Sequence, residues 1–311
     1  MDQAWGLKNM LAAMVSAPEG PAPMPPAHQA SSLLNAAARP PRRRCRAVAV
    51  AGGKGGVGKT TVAVNLGMAM SMAGHDVMLL DADMGLANVD VLLGLLPSRH
   101  IGHLLDGECS LRELMLTAPR GLRIVPGGSG ARRLAQLDSA GHAAIIRAFD
   151  ELERPPEYLL VDTAAGISDS VAMFASAADE VLLVVCDEPA SITDAYALIK
   201  ILSRDFGVRR FRMLANMVRN EGEARQLHQK LSRVSDRFLD VVIAFCGWIP
   251  HDERLRQAIR RQSAVVDLWP SCRSSLAFKQ LAGTVDKWAE PERASDRIAF
   301  FGSPVTPAAG Y

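Results

Sequence analysis

The 311-residue chain reads as an α/β protein: a mostly parallel, doubly wound sheet flanked by helices on both faces. Three observations predict this. Short apolar runs rich in Val, Leu and Ile alternate with helical patterns, the rhythm of a buried parallel sheet. The run at 47–51 passes straight into Gly53-Lys54-Gly55-Gly56-Val57-Gly58-Lys59-Thr60, which opens a helical pattern at 61–72. Acidic and amide residues then recur where the runs end, the edge of a parallel sheet at which ligands gather.

Taken in order, residues 1–15 place Leu7, Met10, Leu11 and Met14 on one helical face. So short a helix is marginal in water and orders only on a partner or on its own domain. Residues 16–45 hold Pro18, Pro21, Pro23, Pro25, Pro26, Pro40 and Pro41, the composition of a disordered Pro/Ala-rich linker. The main domain spans 46–290, with strand patterns at 47–51, 76–80, 122–125, 158–161, 180–185, 211–215 and 241–245. Helical patterns cover 190–205, with Ser191 and Thr193 read as caps near Asp194, and 221–235. A last helix over 274–288 carries Ala277, Leu281, Val285 and Trp288 on one stripe, and 291–311 reads as a flexible tail.

Composition narrows the class. Hydrophobic residues make up 49% of the chain, enough for a globular core. The five cysteines show no metal or redox spacing and read as buried thiols in a reducing compartment. With no bilayer-length run and no secretory leader, a cytoplasmic location is expected. Residues 1–46 carry a net +4 (Lys8, Arg39, Arg42, Arg43, Arg44 and Arg46 against Asp2 and Glu19), which leaves −2 for the rest of a +2 chain. Such a domain gives no support to a nucleic-acid surface, and no specific nucleic-acid binding is expected.

The glycine string is a phosphate-binding loop in its strand–loop–helix setting, so the fold is expected to be that of a P-loop NTPase. Gly53, Gly55, Gly56, Val57, Gly58 and Thr61 supply backbone around a triphosphate, and the new helix adds its positive end. Lys59 reaches the phosphates and the Thr60 hydroxyl ligates Mg²⁺. Asp81 and Asp83, two apart on an extended segment, suit a hydrated Mg²⁺ and an attacking water. Asp162 closes an apolar run, as a Mg²⁺-side acid or as a helix cap, and Gly166 fits a turn beside the γ-phosphate. Asn216 offers donor and acceptor to an adenine edge, or simply ends a strand. No Asn/Thr-Lys-x-Asp string follows, which favours ATP over GTP.

Lys54 is not needed by an ordinary loop of this kind. Lys54-Gly55-Gly56-Val57-Gly58-Lys59-Thr60 resembles the deviant Walker A of the MinD/ParA family of nucleotide-dependent dimerising ATPases, and the likeness covers about residues 46–290. It implies an ATP-dependent homodimer in which Lys54 reaches the partner's nucleotide. It assigns Asp83 to the attacking water, Asp81 and Asp162 to the metal side, and Pro250 and Asp252 to an adenine-side loop. The segments at 79–95 and 188–200 are similar to the flagellar-number branch of that family, FlhG and FleN.

Asp2-Gln3-Ala4-Trp5-Gly6-Leu7-Lys8 resembles that branch's DQAxxLR element, a helix that docks on an FlhF-type GTPase and stimulates it. Asp2, Gln3, Leu7 and Lys8 are then partner-binding residues. Gln3 orients water at the partner's GTP, and Lys8, where the family has Arg, lacks the bidentate fork. The branch also implies restraint of a flagellar master regulator of the FleQ type. The resulting expectation is a slow switch ATPase governing flagellar number and placement; the alternative is a ParA/MinD-type partitioning or division-site positioning ATPase. Transient association with the inner membrane or cell pole is left open, with Arg293, Arg297, Ile298, Phe300 and Phe301 as the lipid-contacting candidates.

Overall fold

The computed structural model describes residues 45–84, 86–128, 132–289 and 298–302. Its first half runs β1 (Arg46–Ala51), α1 (Lys59–Met72), β2 (Val77–Ala82), α2 (Val89–Leu93), α3 (Ile101–Leu105), α4 (Leu111–Leu114), β3 (Leu116–Thr117), β4 (Arg123–Val125), α5 (Arg132–Ala135) and α6 (Ser139–Ala148). The second half runs β5 (Tyr158–Thr163), α7 (Asp169–Ala177), β6 (Glu180–Val185), α8 (Pro189–Arg204), β7 (Arg210–Val218), α9 (Glu221–Phe238), β8 (Val242–Pro250), α10 (Glu253–Arg260), α11 (Val265–Leu268) and α12 (Arg273–Asp286). The N-terminal helix with Asp2, Gln3, Leu7 and Lys8, and the linker up to residue 44, lie outside the described residues.

The strands form one sheet in the order β3-β4-β2-β5-β1-β6-β7-β8. All pairs are parallel except β3 with β4, a two-residue antiparallel edge too short to show in the sequence pattern. Strict alternation within the apolar runs sends side chains to opposite faces. Val48 and Val50 of β1 meet α1 and α10–α12, while Ala49 and Ala51 meet α7–α9. Ala47 joins a third cluster with β2, β5, α3, α4 and α6. Both faces are therefore covered, as expected of near-continuous hydrophobic strands.

Three expectations need correction. First, β7 and β8 extend beyond 215 and 245, so Asn216 and Pro250 belong to strands rather than to loops after them. Two bulges explain the extra length: Cys246 is the added residue on β8, Met217 the added residue on β7, and the second restores the register the first displaced.

Second, α8 starts at Pro189, whose fixed φ suits a first helical position, so Ser191 and Thr193 lie inside the helix. The Ser191 hydroxyl instead accepts from Cys186 N–H at 3.1 Å, and the Thr193 hydroxyl donates to the Pro189 carbonyl at 3.0 Å.

Third, Phe300 and Phe301 are not displayed to lipid. Phe300 is fully buried with ring centroids 5.2 Å from Phe149 and 6.5 Å from Phe174, and its N–H donates to the Ala177 carbonyl at 3.1 Å. Phe301 packs edge-on against Phe149. Phe300 thus completes the core cluster over α6 and α7, with Phe301 packed against it, because burying rings is worth more than leaving them in water. Among the described residues no helix is long and apolar enough to cross a membrane.

Candidate nucleotide site

Parallel register assembles the site. Asp81 on β2 stands beside Asp162 on β5, and Asp162 stands beside Val50 near the end of β1. Three buried strands ending at one level bring two carboxylates beneath the glycine loop. Gly56 (φ 81°) and Gly58 (φ 91°) hold left-handed conformations that suit glycine. At Gly53 a Cβ would fall 2.2 Å from the Asp194 backbone, so only glycine lets the loop pass the start of α8. No side chain caps α1. Its first N–H groups are left for an anion, as a phosphate site requires.

Charged groups under the loop are buried and incompletely satisfied. Lys59 is buried, and loss of water lowers its pKa against the opposing pull of Asp162 and Asp83. Half-buried Asp83 is pushed up by burial and pulled down by Lys59. Asp81 is 1% exposed; it accepts N–H bonds from Asp83 (3.2 Å), Asn88 (2.9 Å) and Val89 (3.0 Å). Burial nonetheless pushes its carboxyl up, against those three bonds. Asp81 therefore anchors the segment that carries Asp83. That segment follows β2, so strand alternation does not align the two acids.

Asp162 is equally buried and bonded to the Thr60 hydroxyl, and burial together with the Asp81 charge raises its pKa well above the carboxylate range. Its Oδ1 has no protein partner. A buried acceptor facing no donor beside a phosphate loop is a place for an ordered water or the water shell of a hard cation. Thr60 and Asp162, with Asp81 braced beside them, fit Mg²⁺. Gly166 (φ 96°) donates to the Gly52 carbonyl at 3.4 Å, which ties the segment after β5 to the loop.

On the base side the structure redistributes the expected roles. Asn216 is 2% exposed, and its Nδ2 donates to the Val57 carbonyl at 2.7 Å while its Oδ1 is buried without a partner. One of its two amide N–H groups is thereby used to hold the loop, which leaves the other N–H and Oδ1 for the two-way pairing expected with an adenine edge. Pro250 is buried at the end of β8. Asp252 accepts from Arg254 N–H (2.9 Å) and from the Ser274 N–H (3.0 Å) and hydroxyl (2.8 Å), bracing the starts of α10 and α12.

Lys54 Nζ pairs with Glu188 Oε2 of its own chain at 2.5 Å, with 38% and 61% of the side chains exposed. Glu188 had no role in the sequence reading. The only available signal was an acid placed directly before the proline that opens α8.

Comparison with known proteins agrees with this geometry. Residues 48–265 match the CobQ/CobB/MinD/ParA nucleotide binding domain. The chain is 54% identical over 254 residues to the antiactivator FleN of Pseudomonas aeruginosa, covering 82% of this chain and 91% of that protein. It is 34% identical over 239 residues to the flagellum site-determining protein YlxH of Helicobacter pylori, covering 76% and 80% respectively. In structure it is similar to the septum site-determining protein MinD of Pyrococcus horikoshii complexed with Mg-ADP, with TM-score 0.65 and 23% identity over 78% of this chain and 97% of that one.

Proposed function

The chain belongs to the MinD/ParA family of nucleotide-binding ATPases, and from that premise we propose that it is an ATP-dependent dimerising switch that sets flagellar number and placement. The similarity to the antiactivator FleN over most of the chain, together with that to a flagellum site-determining protein, supports the flagellar part of this reading.

Nucleotide chemistry follows from the chain's own residues. The loop amides, the open end of α1 and Lys59 bind the phosphates. Mg²⁺, when bound, neutralises phosphate charge, and Thr60 and Asp162 would hold its shell beside Asp81. Asp83 stands next to Lys59 and orients the attacking water as an acceptor. Such a site works by positioning and charge neutralisation, which fits slow turnover governed by assembly. In the free chain Lys54 is held by Glu188; on dimerisation it leaves that carboxylate for the partner's nucleotide. Leu86 (73% exposed) and Ile167 (48%) follow the two acid-bearing strands and offer apolar contact to a second copy.

The same reading assigns Asp2, Gln3, Leu7 and Lys8 to an FlhF-type GTPase, and restraint of a FleQ-type regulator to the ATP-bound dimer. The experiment is GTP turnover by the cognate FlhF-type GTPase, alone and with a peptide of residues 1–20. Stimulation that disappears with Gln3→Ala is expected. No stimulation by the peptide or by the full chain would leave the partitioning ATPase as the better reading, to be tested by ATP-dependent, salt-sensitive DNA binding.

A further inference from the structure

The short helix α3 opens on two histidines that complete one cap. His100 Nδ1 accepts from the Gly102 N–H at 3.0 Å, and His103 Nδ1 accepts from the His100 N–H at 3.2 Å. This is a capping box in which both side chains are imidazoles. Both donors are backbone amides, so each Nδ1 must carry a lone pair and each proton sits on Nε2. A protonated imidazole has no acceptor, so a proton on either ring opens the box. The ring centroids are 4.2 Å apart, where two positive charges would also repel. Serine, asparagine and aspartate cap helices without changing charge near neutral pH.

What the cap supports reaches the nucleotide site. The Ile101 N–H donates to the Pro126 carbonyl at 3.1 Å, which ties α3 to the loop after β4. Gly127 and Gly128 of that loop are pressed between His100 and the end of β2. A Cβ on Gly128 would stand 2.9 Å from the His100 ring, and one on Gly127 2.4 Å from the Asp81 carbonyl oxygen and 3.4 Å from the Ala87 Cβ. Asp81 and Ala87 bracket the segment that carries Asp83. We propose that His100 and His103 are positioning residues for hydrolysis, a proton-sensitive brace that holds the 126–128 loop against the Asp83 segment and is released by acid. This role rests on the water-orienting reading of Asp83.

The charges around the pair are largely engaged elsewhere. Asp106 at the end of α3 pairs with Arg133 of α5 at 2.7 Å, and Glu113 of α4 pairs with Arg99 at 3.8 Å. Glu108 follows α3, His142 of α6 turns to the Phe174 ring, and the 126–128 loop brings no titratable group. Burial, with His103 beside it and against Asp106 and Glu108, holds His100 below the ordinary histidine value of 6.5. The neutral brace is therefore complete above about pH 6.5 and is lost as pH falls through the folded value below it.

The test compares the full-length parent with His100→Ala/His103→Ala and with His100→Asn/His103→Gln, whose amide oxygens rebuild the box without titrating. Each is followed from pH 7.5 to 5.5 by amide NMR and by ATP turnover. In the parent the Gly102 and Gly127 amides should shift along the His100 titration. Its kcat, relative to its own value at pH 7.5, should fall about fivefold further than that of the Asn/Gln variant, with KM for ATP unchanged. At pH 7.5 the Ala pair should lower kcat and the Asn/Gln pair should restore it. Identical pH profiles for the parent and the Asn/Gln variant overturn the proposal, as do Gly102 and Gly127 amides that ignore the His100 titration. Should the Ala pair fail to fold, the parent and the Asn/Gln variant still give both readouts. A parent that turns over no ATP at any pH sinks the ATPase reading itself, and the amide titrations then judge the brace alone.

Discussion

The two ends of the sheet treat buried charge in opposite ways. At the end where the strands start, Arg46 donates to the carbonyls of Val285 (3.0 Å), Trp288 (2.8 Å) and Ala289 (3.1 Å) and so caps the last turn of α12. Tyr158 donates to Asp286 at 2.9 Å. Glu180 accepts both prongs of Arg212 (2.9 and 3.1 Å), which also lies over the Trp288 ring. At the end where the strands finish, Asp162 has a bare oxygen, Lys59 is desolvated and Asp81 crowds Asp162. The charged groups named at the first end are paired within the chain, and those at the second are not. Buried polar groups are expensive when unpaired, so the incomplete end marks where a ligand does the pairing.

Substitutions can break this contrast. The largest expected effect is at Lys59: Lys59→Ala should lose ATP binding by about a hundredfold or more in calorimetry, and affinity within tenfold of the parent would refute the site. Next, Asp83→Ala should still bind ATP and accumulate as dimer in ultracentrifugation, with turnover slowed about a hundredfold or more. Normal turnover would move the water-orienting role elsewhere.

The two ends then diverge in stability. Asp162→Asn removes a buried acid whose charged form the fold disfavours. A carboxyl whose folded pKa is raised lowers the stability of the fold as pH rises past its unfolded value, and the loss is complete above the folded value. The ligand-free variant should therefore melt about 2–4 °C higher at neutral pH, while its Mg²⁺-dependent turnover falls. Arg46→Ala should do the reverse. Losing the cap on α12 should lower the melting temperature by a few degrees, the equivalent of about 1–3 kcal/mol, with ATP affinity untouched. A fall in melting temperature for Asp162→Asn, or a change in ATP affinity for Arg46→Ala, would erase the distinction.

Much of the phosphate half was legible because its signals are local. A glycine string between a strand and a helix needs no knowledge of the rest of the chain, since backbone conformation and helix polarity are properties of a few consecutive residues. Asp81, Asp83 and Asp162 were found the same way, from their places at the ends of apolar runs. The base half was less legible because its elements act at a distance. The sequence offers Asn216 as a base contact or as a strand end, and the carbonyl that takes one of its amide N–H groups belongs to Val57, 159 positions earlier. The family resemblance implies an adenine-side place for Asp252, while its carboxylate is engaged by Ser274 on another helix. Glu188 and Lys54 are 134 residues apart, so no spacing rule joins them.

By itself the sequence determined the α/β class, the strand-by-strand alternation and the residues under the phosphate loop, because period-two and glycine signals are set by neighbours along the chain. Only the tertiary structure decided how polar capacity is spent: which carboxylate keeps a free oxygen, which amide is already bonded, and that Phe300 joins the core instead of meeting a membrane. The two bulges between β7 and β8 belong to the same class, since a bulge is a mismatch between two strands and is written in neither alone. Hydrogen bonds and ring contacts between distant segments are competitive, and a side chain's role is settled by which partner the fold brings nearest.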